Sequence, residues 1–138
     1  MSLLAAFSIA GSGMAAEAQR LAAVASNLAN ANSAVGSGGE PYRAREVVFA
    51  AVSPQGEAAA WATGLAGVRV AGIVESAAPL RTVYDPGSSF ADAKGYVAMP
   101  NVDPAAEMVN MISAQQDYQA DLEAFNAAKT LALRTLAI

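Results

Sequence analysis

The residues best placed to do chemistry are acidic. Asp117 and Asp121 stand four apart in a stretch without Gly or Pro, so on a helix they share one face, with Glu123 close by. Paired carboxylates serve as general acid and base in many enzymes. The same spacing also describes an ordinary solvated helix face, and no other constellation joins these three. Asp85-Pro86-Gly87 offers a carboxylate at a loop tip, but each of its residues favours a turn. A Gly-x-Ser-x-Gly nucleophile elbow is absent. The runs GSG at 11–13 and GSGG at 36–39 lack the lysine and the strand–loop–helix setting of a phosphate loop. No EF-hand calcium loop occurs either.

Composition narrows the field further. The chain has 138 residues, no histidine and no cysteine. That removes His-based triads, imidazole switches, disulfides, thiolate nucleophiles and the usual zinc and iron–sulfur sites. Eight Lys/Arg against twelve Asp/Glu leave a net charge of −4, which argues against nucleic acid as a partner. The expectation is a protein that is not an enzyme, with no cofactor and no metal.

The elements must then carry the function. Although 54% of the residues are hydrophobic, 35 of the 138 are alanine and only nine are aromatic. The apolar mass is small-sided, which suits close helix packing better than a large core. Residues 1–31 are read as one unit whose helix spans 3–31, rich in Ala, Leu, Glu, Gln and Arg, with Ser2 as a candidate N-cap. Bulky side chains recur every seventh position, Phe7, Met14, Leu21 and Leu28, and a row of mostly small ones precedes each by three, Leu4, Gly11, Ala18 and Ala25. Such a helix is about 43 Å long. NANSAVGSGGEP ends it.

Residues 32–103 form a middle region punctuated by GSGGEP, SPQG, DPG and MPN. Strands are expected at 45–52 and 66–75, and a third at 80–84. Val68, Val70, Gly72 and Val74 alternate along the second of them. Three strands make a small sheet or a long hairpin, and residues 56–64 read as a loop. Residues 104–138 hold a second helix, about 51 Å long, with Asp103 as N-cap and Pro104 in its first turn. Its 3-4 register runs Met108, Met111, Gln115, Tyr118, Leu122, Phe125, Lys129, Ala132 and Leu136. The fold class is therefore mainly α with a small β element, two long terminal helices lying side by side.

Both helices carry apolar residues beyond one stripe, namely Ile9, Val24, Val109, Ile112, Leu131 and Leu133. A helix apolar on several sides expects several neighbours, and this chain provides no third helix. Other chains must supply them. The candidate interface residues are Phe7, Met14, Leu21, Val24, Asn27, Leu28, Asn30, Met108, Met111, Ile112, Tyr118, Leu122, Phe125, Leu133 and Leu136. Met108 and Met111 suit adaptable contacts. Asn27, Asn30 and Asn32 crowd the end of the first helix. They fit a C-terminal cap, and Asn27 equally fits a sideways hydrogen bond to a neighbouring helix.

SNLANANS at 26–33, followed by Pro41-Tyr42-Arg43, resembles the bacterial flagellar rod and hook family of axial proteins. GGEPYRAREVVF (38–49), GVRV (67–70), YDPG (84–87), DAKGYVAMPNVD (92–103) and AAEMVNMISAQQDYQADLEAFNAAK (105–129) narrow the resemblance to its proximal rod members of the C type. GYVAMPNVD is the most specific segment; residues 53–66, with Trp61, match no pattern. The resemblance implies a structural subunit whose terminal helices pair as a coiled coil. It would pack with copies of itself and other rod proteins into a helical drive shaft around an export channel. The middle would form an outer β element.

No basic residue precedes Arg20, so no secretory signal is visible, and no stretch is apolar enough to span a membrane. By those signals alone the chain reads as cytoplasmic. The resemblance implies instead passage through the flagellar export apparatus without a cleaved signal, and a home in the basal-body rod within the periplasmic space. The competing readings are another flagellar rod subunit and a cytoplasmic coiled-coil adaptor.

Overall fold

The computed structural model describes residues 3–34, 39–52 and 66–137. Helix α1 covers Leu3–Asn30 and helix α2 covers Pro104–Leu136. Asp103 caps α2 by accepting a hydrogen bond from the Ala105 amide at 2.9 Å. Pro104 fills the first turn, where a missing N–H costs nothing. The Ser2 cap and the 56–64 loop, with Trp61, lie outside the described residues.

The helices run antiparallel. Phe7 meets Phe125 edge to face with ring centroids 5.0 Å apart, Arg20 reaches Asp117, and Asn27 reaches Glu107. Half of each expected register faces inward. Phe7, Met14, Leu21 and Leu28 of α1, and Met111, Tyr118 and Phe125 of α2, are all half-buried.

The other half differs. On α1 the row expected three positions earlier faces out, with Leu4, Ala18 and Ala25 exposed. The inner row lies three positions later: Ala10, Glu17, Val24 and Ala31. On α2 the row Met108, Gln115, Leu122, Lys129 and Leu136 is exposed. Glu107, Ala114, Asp121 and Ala128 turn inward instead, and the two alanines are buried. The physical reason is steric. Each helix sets a row that includes alanines beside its bulky row, and Gly13 lets Asp121 come close to the α1 backbone, so the second bulky row of α2 is pushed to the far side.

The middle forms two antiparallel ribbons rather than one sheet. Strands β1 (Arg45–Val52) and β2 (Gly67–Glu75) pair with a bulge between Val48 and Phe49, where Ala71 has no opposite number. Val68, Val70 and Gly72 are half-buried as the alternation predicts, while Val74 is exposed beyond the bulge. This ribbon lies against α1. Ser12 Oγ donates to the Ile9 carbonyl at 2.7 Å and accepts from the Val68 amide at 3.0 Å. Gly67 permits that approach, since a Cβ there would stand 2.6 Å from Ser12 Oγ.

Strands β3 (Arg81–Tyr84) and β4 (Tyr96–Met99) make the second ribbon. β4 was not expected; at four residues it is too short for its alternation to stand out. The Asp-Pro-Gly turn is present, with the Gly87 amide donating to Asp85 Oδ1 at 3.3 Å. Gly95 closes the loop at φ +84°, beneath the Tyr84 ring that stacks edge-on with Tyr96.

Candidate functional site: the junction of the two helices and the outer face of α2

The end of α1, the start of β1 and the start of α2 converge on Asn27, which is 1% exposed. Its amide nitrogen donates to the Arg45 carbonyl at 2.9 Å and to Glu107 Oε2 at 3.1 Å. Its oxygen accepts from the Arg45 amide at 2.8 Å and from the Tyr42 hydroxyl at 2.9 Å. One side chain therefore bonds three segments, and its hydrogen-bonding capacity is used in full. Of the two roles open to Asn27, the sideways bond is the one realised. Asn30 turns back on its own helix, donating to the Ser26 carbonyl at 2.8 Å. Asn32 lies 3.5 Å from the Arg81 guanidinium.

A second asparagine completes the junction. Asn101 Oδ1 accepts from the Ala44 amide at 2.8 Å, and its nitrogen donates to the carbonyls of Ser76 and Ala78 at 3.3 and 2.9 Å. Arg43 donates to the same two carbonyls. Beneath them Ala31, Ala44 and Val102 are buried, with Tyr42 packed against them. The Arg45 guanidinium lies over the Tyr42 ring and pairs with Glu75 at 3.5 Å. Sequence reasoning missed Tyr42, Asn101 and Glu107 as members of this node. Their signal was present in the quoted segments, which supply Ser26, Asn27, Tyr42, Arg43, Asn101 and Glu107. The motifs that looked separate along the chain meet in one place.

Above the junction the α1–α2 seam is charged. Arg20 contacts Glu17 at 3.4 Å and Asp117 at 3.3 Å. Asp121 presses on α1 at Gly13, where a Cβ would overlap its carboxylate. Burial holds the Glu17 carboxyl above its ordinary range; Arg20 opposes this, while Asp117 and Asp121 add to it. Burial, and then Asp117, raise Asp121 likewise. Asp117 and Asp121 thus face another helix and not solvent alone. A groove of about 230 Å³ runs beside this seam, lined among others by Arg20, Val24, Val47 and Glu107.

The expected interface residues separate into two sets. Phe7, Met14, Leu21, Val24, Leu28, Met111, Tyr118 and Phe125 turn toward the chain's own interior, and Asn27 and Asn30 sit at the junction. Met108, Ile112, Leu122, Leu133 and Leu136 are exposed on α2, at 54%, 55%, 40%, 59% and 84%, together with Val109 and Leu131. Among the described residues no helix is long and apolar enough to cross a membrane.

Antiparallel terminal helices, an asparagine-pinned junction and β ribbons between them define an elongated scaffold protein with an uncovered helix face. Comparison with known proteins gives the class. Residues 7–36 match the family model described as flagella basal body rod protein, and residues 93–138 match the one described as flagellar basal body rod FlgEFG protein C-terminal. The chain is similar throughout to flagellar basal-body rod proteins FlgC. It is 51% identical over 138 residues to that of Salmonella typhimurium, covering 100% of this chain and 98% of the relative. The Yersinia enterocolitica protein is 53% identical over the same span, again with 100% and 98% covered. That of Borreliella burgdorferi is 34% identical over 152 residues, with the same shares. The chain belongs to the FlgC family of flagellar basal-body rod proteins.

Proposed function

We propose that this chain is a structural subunit of the proximal rod of the flagellar basal body, and acts as a building part and not as an enzyme. The observation that carries the reading is the outer face of α2. Seven large apolar residues lie exposed there on one helix, more than an isolated soluble chain needs. Fully burying one such side chain contributes about 1.5–3 kcal/mol, so neighbours covering this face would supply most of the assembly energy.

The terminal helices act as a coiled coil. Inward rows spaced alternately three and four residues apart support this: 7, 10, 14, 17, 21, 24 and 28 on α1, with 31 just past its end, and 107, 111, 114, 118, 121, 125, 128 and 132 on α2. The rod is built from copies of this chain and other rod proteins in heterologous contacts, each offering one surface to a different surface of the next. Dense packing of the small-sided seam gives the stiffness a torque-bearing shaft around an export channel requires. Subunits reach the periplasmic space through the flagellar export apparatus, without a cleaved signal.

The test is deletion of the gene in its native bacterium, with electron microscopy of the basal bodies. Loss of rod, hook and filament, restored by the wild-type gene, supports the reading. Complete flagella without the gene would overturn it.

A further inference from the structure

We propose that the seam between α1 and α2 is a proton-sensitive joint: Glu17 and Asp117 share the cation Arg20 while Asp121 beside them pairs with none, so uptake of a proton by Asp121 or Glu17 draws the helices together. The geometry sets this up in three ways. Arg20 is already engaged by two carboxylates, Glu17 and Asp117, at 3.4 and 3.3 Å. Asp121 receives no hydrogen bond or ion pair among the described residues, and its carboxylate is held against the α1 backbone at Gly13. The Glu17 side chain is only 13% exposed, so water does little to relieve the crowding.

Among the described residues no second cation pairs with these carboxylates. From α1 the charged groups facing the cluster are Glu17 and Arg20, and from α2 they are Asp117 and Asp121. The β1–β2 ribbon meets this part of α1 with Gly67 and Val68 at Ser12. Further along, Arg45 and Glu46 of β1 and Glu107 of α2 line the groove shared with Arg20, but Arg45 is paired with Glu75.

The direction follows from linkage. Both Asp121 and Glu17 hold protons more tightly in the paired helices than in an open chain. The paired state therefore binds more protons, and its stability rises as pH falls. That contribution is complete below the ordinary carboxylate range and is lost as pH rises through the raised values. This is the reverse of a salt-bridged carboxylate, which loses stability in acid. The device concerns the dissolved chain and stands apart from its place in a rod.

Amide hydrogen exchange on the full chain, corrected for the intrinsic effect of pH on exchange, tests it at about pH 4, near the ordinary carboxylate range, and at about pH 7.5. Protection of seam amides in residues 10–21 and 114–125 is expected to rise severalfold at the acidic end. Asp121→Asn should give the higher protection already at the neutral end and flatten the dependence. Glu17→Gln should do the same and serves as the second variant if the first fails to fold. Glu123→Gln, on the exposed side of α2, should leave the wild-type profile intact. Wild-type protection that is flat or falls on acidification would overturn the proposal, as would an unflattened profile in both seam variants.

Discussion

The two terminal helices have similar lengths but opposite surroundings. α1 buries Ala10, Ala16, Ala23, Val24 and Asn27, because α2 covers one side of it and the β1–β2 ribbon covers another. α2 buries only Ala114 and Ala128, and leaves most of its large apolar side chains in water. Composition alone points the wrong way here, since α1 is the more alanine-rich helix, while α2 holds two of the five methionines and each helix has four leucines. The lesson is that the chain spends its small residues on internal contacts, where closeness matters. On α2 it keeps most of its large residues for a surface that is completed elsewhere.

The comparison breaks most severely at Asn27. Replacing it with Ala leaves the Arg45 amide and carbonyl and the Glu107 carboxylate without their partner in a buried place. Each such loss costs about 1–3 kcal/mol, so Asn27→Ala should destabilise the folded chain by about 3 kcal/mol or more. Denaturant unfolding of the purified chain measures this. A loss below about 1 kcal/mol would show that water replaces the amide at little cost.

Gly13→Val comes next. It places a branched side chain where even a Cβ overlaps Asp121, so the helices must separate locally. Overpacking of this kind costs about 1–3 kcal/mol. Asp121→Ala in the same chain should recover most of the loss. A Gly13→Val chain with an unchanged unfolding midpoint would mean that the close approach at this position is not maintained in solution.

Smaller still is Asp103→Ala. It removes the cap on the Ala105 amide, and about 1 kcal/mol is expected in the same unfolding measurement. Asp103→Ser keeps an acceptor at that place and should restore nearly all of it.

How far these roles were legible depends on the range of the interaction behind each. Helix bounds, the Asp103 cap and the first two strands are local, and the spacing of side chains along the chain specified them. One row on each helix was likewise legible, because Phe7, Met14, Leu21 and Leu28, or Met111, Tyr118 and Phe125, are large and regular. The second row was not. Heptad counting favours the bulkier row, Met108, Leu122 and Leu136, over Glu107, Ala114, Asp121 and Ala128. Which of the two faces α1 depends on how close the backbones come, and Gly13 decides that from the other helix. Asn27 drew notice as a crowded asparagine, but its partners lie 15, 18 and 80 positions away. Only the folded chain brings Tyr42, Arg45 and Glu107 to it.

The smallest effect on folding should come from the outer face of α2, and there the contrast between the helices is sharpest. Leu133 is 59% exposed, so Leu133→Asp removes little buried surface and introduces a charge that water already solvates. Its unfolding free energy should stay within about 0.5 kcal/mol of the wild type, as for surface substitutions generally. Val24→Asp, on the covered side of α1, should by contrast unfold the chain, since it removes buried apolar packing and strips water from a charge. In the cell the two variants should share one outcome, loss of the rod, by different routes. Val24→Asp fails because the subunit does not form. Leu133→Asp forms a stable subunit whose outer face now carries a charge that a covering neighbour would have to desolvate. Normal swimming with Leu133→Asp would mean that this face remains in water in the assembled rod, and the leucines of α2 would then need another explanation.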